Sequence, residues 1–358
     1  MAGSVFGTAF QVMTWGESHG SGLGVTVDGC PAGLPLSQED IQRYLDRRKP
    51  GQSSFTTARR EGDEVEILSG IFEGKTTGTP IAMMVRNQDQ RSRDYSAIRD
   101  VYRPGHADFG FDRKYGFRDY RGGGRSSGRE TIARVAAGAV ACRLLEEYGI
   151  TVTAYTKSIG GFEVAPERFD LAERDRNSLY MPDAVAAAGA QEYLREVMEE
   201  QDSAGGVVEC VAKGVPAGIG EPVFDKLDAC LAKAILSIGA VKGFEIGDGF
   251  AAARSRGSQN NDPFRVDASG HVVKETNHAG GILGGISDGS DIILRAAFKP
   301  TPSIAQKQRT VTTSGEETEI AIAGRHDPVI VPRAVVVVEC MTAITIADLL
   351  LRGKAARL

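Results

Sequence analysis

Two segments of this 358-residue chain repeat one another. "VDGCPAGLPLSQEDIQRYLDR", from Val27, and "AKGVPAGIGEPVFDKLDACLAK", from Ala212, each pass from an apolar strand end through G-x-P-A-G into an amphipathic helix. Their first glycines, Gly29 and Gly214, stand 185 residues apart, half the chain. Reuse of one strand–turn–helix unit at that spacing predicts two related halves in a pseudo-symmetric fold. The competing explanation is chance repetition of a favourable turn. No linker-like or low-complexity stretch separates the halves, so one domain over residues 1–358 is expected.

Helices are predicted where apolar residues recur at helical spacing. Ser37-Gln-Glu-Asp40 opens one as a capping box, with Ile41, Tyr44 and Leu45 following and Pro50-Gly51 ending it. Arg129 to Tyr148 carries Ile132, Val135, Ala136, Ala139, Val140 and Leu144 on one stripe, closed by Gly149. Pro182 to Glu199 reads as a third, and Phe224, Leu227, Leu231 and Ile235 mark a fourth. Strands are expected at Val65–Phe72, Ile81–Val85, Ile150–Ile159, Val207–Ala212, Ile292–Phe298 and Ala334–Cys340.

Hydrophobic residues make up 41% of the chain, with no run of ~18 apolar residues, which fits a soluble protein and gives no reason to expect a membrane span. The opening "MAGSVFGTAF" lacks the basic-then-apolar order of a secretory signal. Cys142 and Cys230 fall in helical patterns and Cys210 and Cys340 in apolar strands, while Cys30 has no CxxC partner. Small buried thiols in a reducing cytoplasm are therefore expected. The net charge of −5 hides two basic stretches. Arg86–Arg134 holds 12 Lys/Arg against 7 Asp/Glu, and Arg43–Arg60 holds six against Asp46 alone. Positive stretches in an acidic protein suggest a cavity for a small, multiply anionic ligand; a solvated basic surface is the alternative.

Glycine gathers around polar residues. "RGGGRSSGRET", Arg121–Thr131, immediately precedes the Arg129–Tyr148 helix. Consecutive glycines let several backbone N–H groups point into one concavity, the helix N-terminus adds positive potential, and Arg125, Ser126, Ser127 and Arg129 add donors. That combination suits a phosphate or another anion. It is neither a Walker A loop nor a Rossmann fingerprint. His19 in "WGESHGSG", His106 in "RPGHAD", His278 in "NHAGGILGGISDG" and His326 in "GRHDP" all sit in such segments, which predicts convergence on one site; His271 reads as an ordinary turn residue. No HxH, HExxH or Cys/His spacing supports a metal site. The acidic composition and 7% aromatic content argue against nucleic-acid binding.

In order along the chain, "GESHG", "RPGHAD", "GGGRSSGRET", "DSAGG" (Asp202–Gly206), "GFEIGDGF", "NHAGGILGGISDG" and "RHDP" resemble the signature segments of the chorismate synthase family. The resemblance implies an α+β fold in which antiparallel sheets sandwich a helical core in pseudo-symmetric β-α-β halves, assembled as a homotetramer. It implies anti-1,4-elimination of phosphate and a C6 proton from 5-enolpyruvylshikimate-3-phosphate, giving chorismate in the shikimate pathway, with reduced FMN required. By motif, His19 resembles the histidine beside the flavin, His106 the one assisting phosphate departure, and Asp327 the aspartate associated with flavin N5. Arg48, Ser127, Arg129 and Arg325 resemble substrate contacts. Arg125, Ser126, Ser127, Gly239, Ala240, Gly284, Lys299, Pro300, Thr301, Pro302, Ser303 and Arg325 resemble FMN contacts. Ser18 or Glu17 could orient His19.

Two departures matter. Many relatives carry an arginine where Ser54 stands, so Arg59 or Arg60 substitutes or that contact is weaker. Some members also reduce FMN with NADPH. This chain has neither a Rossmann fingerprint nor an insertion to host nicotinamide, which implies reduced flavin delivered by an external flavin reductase.

Overall fold

The computed structural model describes residues 3–53, 55–56, 62–88, 98–322 and 327–357. The first half contains β1 (Val5–Phe6), β2 (Gln11–Gly16), β3 (Gly22–Asp28), α1 (Gln38–Arg48), β4 (Val65–Ile67), the hairpin β5 (Ile71–Phe72) and β6 (Lys75–Thr76), and β7 (Ile81–Arg86). α2 (Asp108–Tyr115) and α3 (Thr131–Glu146) follow. The second half contains β8 (Thr151–Ile159), β9 (Phe162–Glu163), α4 (Ala184–Glu199), β10 (Gly206–Lys213), α5 (Leu227–Leu236) and β11 (Val241–Ile246). After these come the hairpins β12 (Phe264–Val266)–β13 (Val272–Lys274) and β14 (Ile282–Leu283)–β15 (Ile286–Ser287), then β16 (Ile292–Phe298) and α6 (Val331–Gly353).

Each half builds an antiparallel sheet, ordered β1-β2-β3-β7-β4 and β11-β16-β10-β8-β9. α3 packs on β3 of the first sheet and α6 on β8 and β10 of the second, while α3 and α6 pack on each other. Two sheets thus enclose a helical layer, with one apolar cluster running through all of it. This is the α+β sandwich expected.

The internal repeat is geometric, not accidental. β3 leads through Gly29 and Gly33 into α1, and β10 through Gly214 and Gly218 into α5; all four glycines have left-handed φ, +81°, +89°, +76° and +105°. In the first turn Thr76 Oγ1 donates to Pro31 O at 2.6 Å and accepts from Leu34 N at 3.0 Å. In the second, Ser287 Oγ donates to Pro216 O at 2.6 Å and accepts from Ile219 N at 2.8 Å. The same hydroxyl staple at matching places excludes chance repetition.

The capping box at Ser37 forms as read, with Asp40 completing it. Other expectations are corrected. Val65–Phe72 breaks into β4 and β5 because Gly70 turns the chain at φ +84°. Phe224 is 90% exposed and precedes α5, whose first residue is Leu227. The run Ala334–Cys340 is not a strand but the heart of α6, so Cys340 lies on a helix. Its valines favour strands by propensity, yet a helix enclosed on all sides has no polar face to produce a 3.6-residue period, and Pro332 starts it. α6 is long and apolar enough to cross a membrane, but 94% of its most apolar window is buried between the sheets. All five cysteines are free thiols, four of them buried.

Two carboxylates on α6 organise its surroundings. Glu339 accepts from Arg47 at 2.6 and 3.0 Å and from Ala154 N at 3.0 Å. Asp348 Oδ1 accepts from the backbone N–H groups of Thr8, Ala9 and Phe10 at 2.7, 2.6 and 2.9 Å, fixing the β1–β2 turn. Asp348→Ala would strand three donors, so unfolding in urea should show a loss of about 2–4 kcal/mol with an unchanged slope. A loss below ~0.5 kcal/mol would mean that water satisfies that turn.

Candidate active site

The glycine loop before α3 owes its path to two histidines. Gly122, Gly123 and Gly124 adopt φ +65°, +82° and +52°. A Cβ on Gly122 would lie 2.3 Å from His19 Cε1, and one on Gly123 would lie 2.8 Å from His106 Cε1. The run therefore threads between the two imidazoles, which only glycine can do. His19 is 7% exposed, and Ser18 Oγ lies 3.1 Å from its Nδ1. Ser18, one of the two orienting candidates read from the sequence, is in contact with the ring.

Beside this loop opens a cleft of about 880 Å³, a size suited to one or two small ligands. Arg125, Ser126, Ser127 and Arg129 form one wall. Gly239 and Ala240, just past α5, and Lys299, Thr301, Pro302 and Ser303, just past β16, form another. His106, Asp327 and Arg333 complete it. Thr131 and Ile330, at the starts of α3 and α6, also line it, so two helix N-termini bring positive potential to the same space.

His106 lies in a polar cluster. Arg103 Nη2 is 3.0 Å and Asp108 Oδ1 3.2 Å from His106 Nδ1. When Nδ1 accepts from Arg103, the neutral ring carries its proton on Nε2, on the Gly123 side; when Nδ1 donates to Asp108, Nε2 carries a proton only in the imidazolium. Burial would raise the Asp108 carboxyl, but hydrogen bonds from Arg103 and His106 outweigh it and hold the group well below the usual carboxylate range. Asp327 Oδ2 accepts from Arg333 Nη1 at 2.5 Å, and Arg333 Nε donates to Arg48 O at 3.1 Å.

Most cleft arginines already face acids: Arg103 with Asp108 at 2.7 Å, Arg134 with Glu130 at 2.9 Å, and Arg129 with Asp63 at 3.3 Å. Arg125 and Lys299 differ. Arg125 donates to Gly16 O at 3.2 Å and Thr14 Oγ1 at 2.7 Å, and Lys299 Nζ to Gly105 O at 2.7 Å. Neither has a carboxylate partner among the described residues. Burial, with help from Lys242, lowers the Lys299 amine below its ordinary value. Two cations facing a cleft with no counter-ion among the described residues have the chemistry to receive phosphate or carboxylate. No group of three His, Cys, Asp or Glu residues that could hold a metal occurs among the described residues.

Several expected contacts lie elsewhere. Arg48 is 1% exposed and sits behind Thr131, donating to its Oγ1 at 3.2 Å, because the last turn of α1 faces inward. Pro300 turns from the cleft to pack by the backbone of Gly205. Gly284 sits in the β14–β15 turn, whose next residue, Gly285, accepts from Leu227 N at 2.8 Å. That places Gly284 at the far end of α5 from Gly239, about 15 Å by helix rise. His278 pairs with Asp248 at 2.7 Å and does not join His19 and His106. Arg325, His326, Ser54, Arg59 and Arg60 lie outside the described residues. Arg103, Asp108, Arg134 and Arg333 reach the site without having been singled out. Arg103 and Asp108 were within reach, since they bracket His106 in "RPGHAD".

A family model described as Chorismate synthase matches residues 10–351. The chain belongs to the chorismate synthase family. Chorismate synthases from Lachnospira eligens and Agathobacter rectalis are 64% and 65% identical over 358 residues, covering 100% of this chain and 98% and 97% of theirs. A crystal structure of chorismate synthase superposes with a TM-score of 0.77 at 36% identity, over 97% of this chain and 93% of that one. Membership in this family makes the chain an enzyme of the lyase class, and the superposition supports the sandwich architecture described above.

The glycine loop offers a local test. Gly122→Ala forces a Cβ into His19 and a left-handed alanine, whereas Gly128→Ala meets nothing within 4 Å. Gly122→Ala should lower stability by ~1–2 kcal/mol and depress turnover, with Gly128→Ala near wild type in both thermal unfolding and rate. Equal behaviour of the two variants would show that the loop does not depend on the His19 contact.

Proposed function

We propose that the cleft converts 5-enolpyruvylshikimate-3-phosphate to chorismate with reduced FMN bound beside the substrate, in the shikimate pathway that leads to aromatic amino acids. The observation that carries the reading is the pair Arg125 and Lys299, cationic, half-buried and without carboxylate partners among the described residues, in one cleft with His106 and Asp327. Substrate and FMN each bring a phosphate, so uncompensated cations are what such ligands require. The residues fit FMN on the same ground: Arg125, Ser126 and Ser127 on one wall and Gly239, Ala240 and Lys299–Ser303 on the other would hold it. Reduced FMN, when bound, supplies electron density to the substrate as phosphate departs.

The chain's own groups carry the protons. The C3–O bond breaks with its electron pair leaving on phosphate, the C1=C2 pair shifts to C2=C3, and the C6–H pair forms the C1=C6 double bond. His106, with a proton on Nε2, donates to the departing phosphate oxygen. Asp327 holds the proton lost from C6, oriented by Arg333. His19, fixed through Nδ1 by Ser18, holds a proton at the floor of the glycine loop. Arg129 and Ser127 grip the substrate. The homotetramer and the cytoplasmic location belong to the same proposal, as does the whole chain acting as one catalytic unit. A flavin contact at Gly284 would have to be made with another copy's ligand, since that turn faces away from this cleft.

The test is anaerobic turnover. Purified protein with substrate and dithionite-reduced FMN should produce chorismate, and should produce none with oxidised FMN. It should not consume NADPH, because the reduced flavin comes from a separate reductase. Turnover without flavin would overturn the proposed chemistry, and steady NADPH oxidation would establish the bifunctional form instead.

A further inference from the structure

Two neighbours of opposite character meet one ring nitrogen of His106. Arg103 Nη2 lies 3.0 Å and Asp108 Oδ1 3.2 Å from Nδ1. A guanidinium only donates and needs a bare Nδ1, whereas an ionised carboxylate only accepts and needs a proton there. The neutral ring has one proton for its two nitrogens. Whichever neighbour prevails at Nδ1 therefore decides whether Nε2, on the Gly123 side, carries a proton. The proposed reaction needs one there.

The loop is built so that Arg103 prevails. Asp108, the first residue of α2, is 4% exposed, and Arg103 occupies both of its oxygens. Oδ2 accepts from the Arg103 backbone N–H at 3.1 Å and from Nε at 2.8 Å, and Oδ1 accepts from Nη2 at 2.7 Å. His106 N donates to Arg103 O at 3.2 Å and closes the same turn. Gripped through backbone and side chain, Arg103 cannot swing away. Nη2 carries two hydrogens, one for Asp108 and one for His106 Nδ1. A ring protonated on Nδ1 would meet that second hydrogen donor to donor. The other charges nearby offer Nδ1 no acceptor: Arg118 Nε is 4.0 Å from Asp108 Oδ1, Asp112 is engaged with Arg118, and Lys299 donates to Gly105 O. When the ring gains a second proton, Nδ1–H has Asp108 Oδ1 to accept it, and Nε2 keeps its own.

We infer that Arg103 and Asp108 are positioning residues that fix the tautomer of His106: Arg103 holds the neutral ring with its proton on Nε2, and Asp108 takes the Nδ1–H of the charged ring, so Nε2 presents a proton in either state. The inference rests on the proposed function for what that proton does, but its first test needs neither flavin nor substrate. NMR of the protein with isotopically labelled histidine nitrogens reads the tautomer, the His106 signals being those lost in His106→Gln. In the neutral wild-type ring Nδ1 should be the bare nitrogen and Nε2 the protonated one. Arg103→Met leaves Asp108 alone at Nδ1, so the neutral ring should invert and carry its proton on Nδ1. Arg103→Lys keeps the charge and the Asp108 pair but not the fork that reaches both partners; it serves if Arg103→Met does not fold, with the same inversion expected. A wild-type ring protonated on Nδ1, or a variant ring still protonated on Nε2, would overturn the inference. Turnover supplies a second arm. In the variant Nε2 is protonated only in the imidazolium, so its kcat relative to wild type should fall at least ~10-fold as the pH rises from about 5 to about 8, where imidazoles lose their charge. A loss by the same factor at every pH would reduce Arg103 and Asp108 to a structural ion pair and overturn the inference. Absence of chorismate production by wild type would instead remove the proposed reaction and leave the tautomer result standing.

Discussion

Everything at the cleft depends on how closely α3 and α6 cross. A Cβ on Gly138 would stand 2.1 Å from Cys340 Cβ, so the two helices touch at a point where only glycine fits. Thr131 at the start of α3 and Ile330 just before α6 both line the cleft, and the crossing sets the distance between their loops. On one side stand Arg125 and Arg129, and on the other Asp327 and Arg333. A methyl group inserted at Gly138 would separate the halves of the site as well as open the core. Core packing and site geometry are the same constraint here.

The charge pattern follows from burial. An arginine withdrawn from water needs a partner, and Arg103, Arg129, Arg134 and Arg333 each have one built into the fold. Arg125 and Lys299 remain half-buried, tethered by carbonyl and hydroxyl oxygens that fix their direction without neutralising them. The fold therefore distinguishes arginines that hold the site together from cations that await a ligand. The histidines are sorted in the same way: His19 lies beneath the glycine loop, His106 on the cleft, and His278 at a separate Asp248 pair.

Much of this was legible in the chain. The G-x-P-A-G echo predicted the duplicated halves because a turn that needs glycine at fixed places writes its geometry into the sequence. The "GGGRSS" loop was legible as one wall of the cleft through local chemistry alone. Ala334–Cys340 misled because a helix buried on every face carries no periodicity, and valine biases the reading toward strand. Asp63 was invisible for a different reason: an isolated acid acquires its meaning only when β4 brings it beneath Arg48 and Arg129. Arg48 and Gly284 carried a family pattern but not their depth or direction, which tertiary packing decides.

The proposed phosphate seat rests on Arg125 and Lys299, which no carboxylate among the described residues balances. Equilibrium binding of FMN to Arg125→Ala and Lys299→Ala, set beside Arg86→Ala, whose exposed side chain already pairs with Glu66 at 2.7 Å, measures that claim directly. Loss of a charge-assisted phosphate partner should weaken FMN by roughly ten- to a hundred-fold in the two cleft variants and leave Arg86→Ala near wild type. FMN bound equally well by all three variants would contradict it.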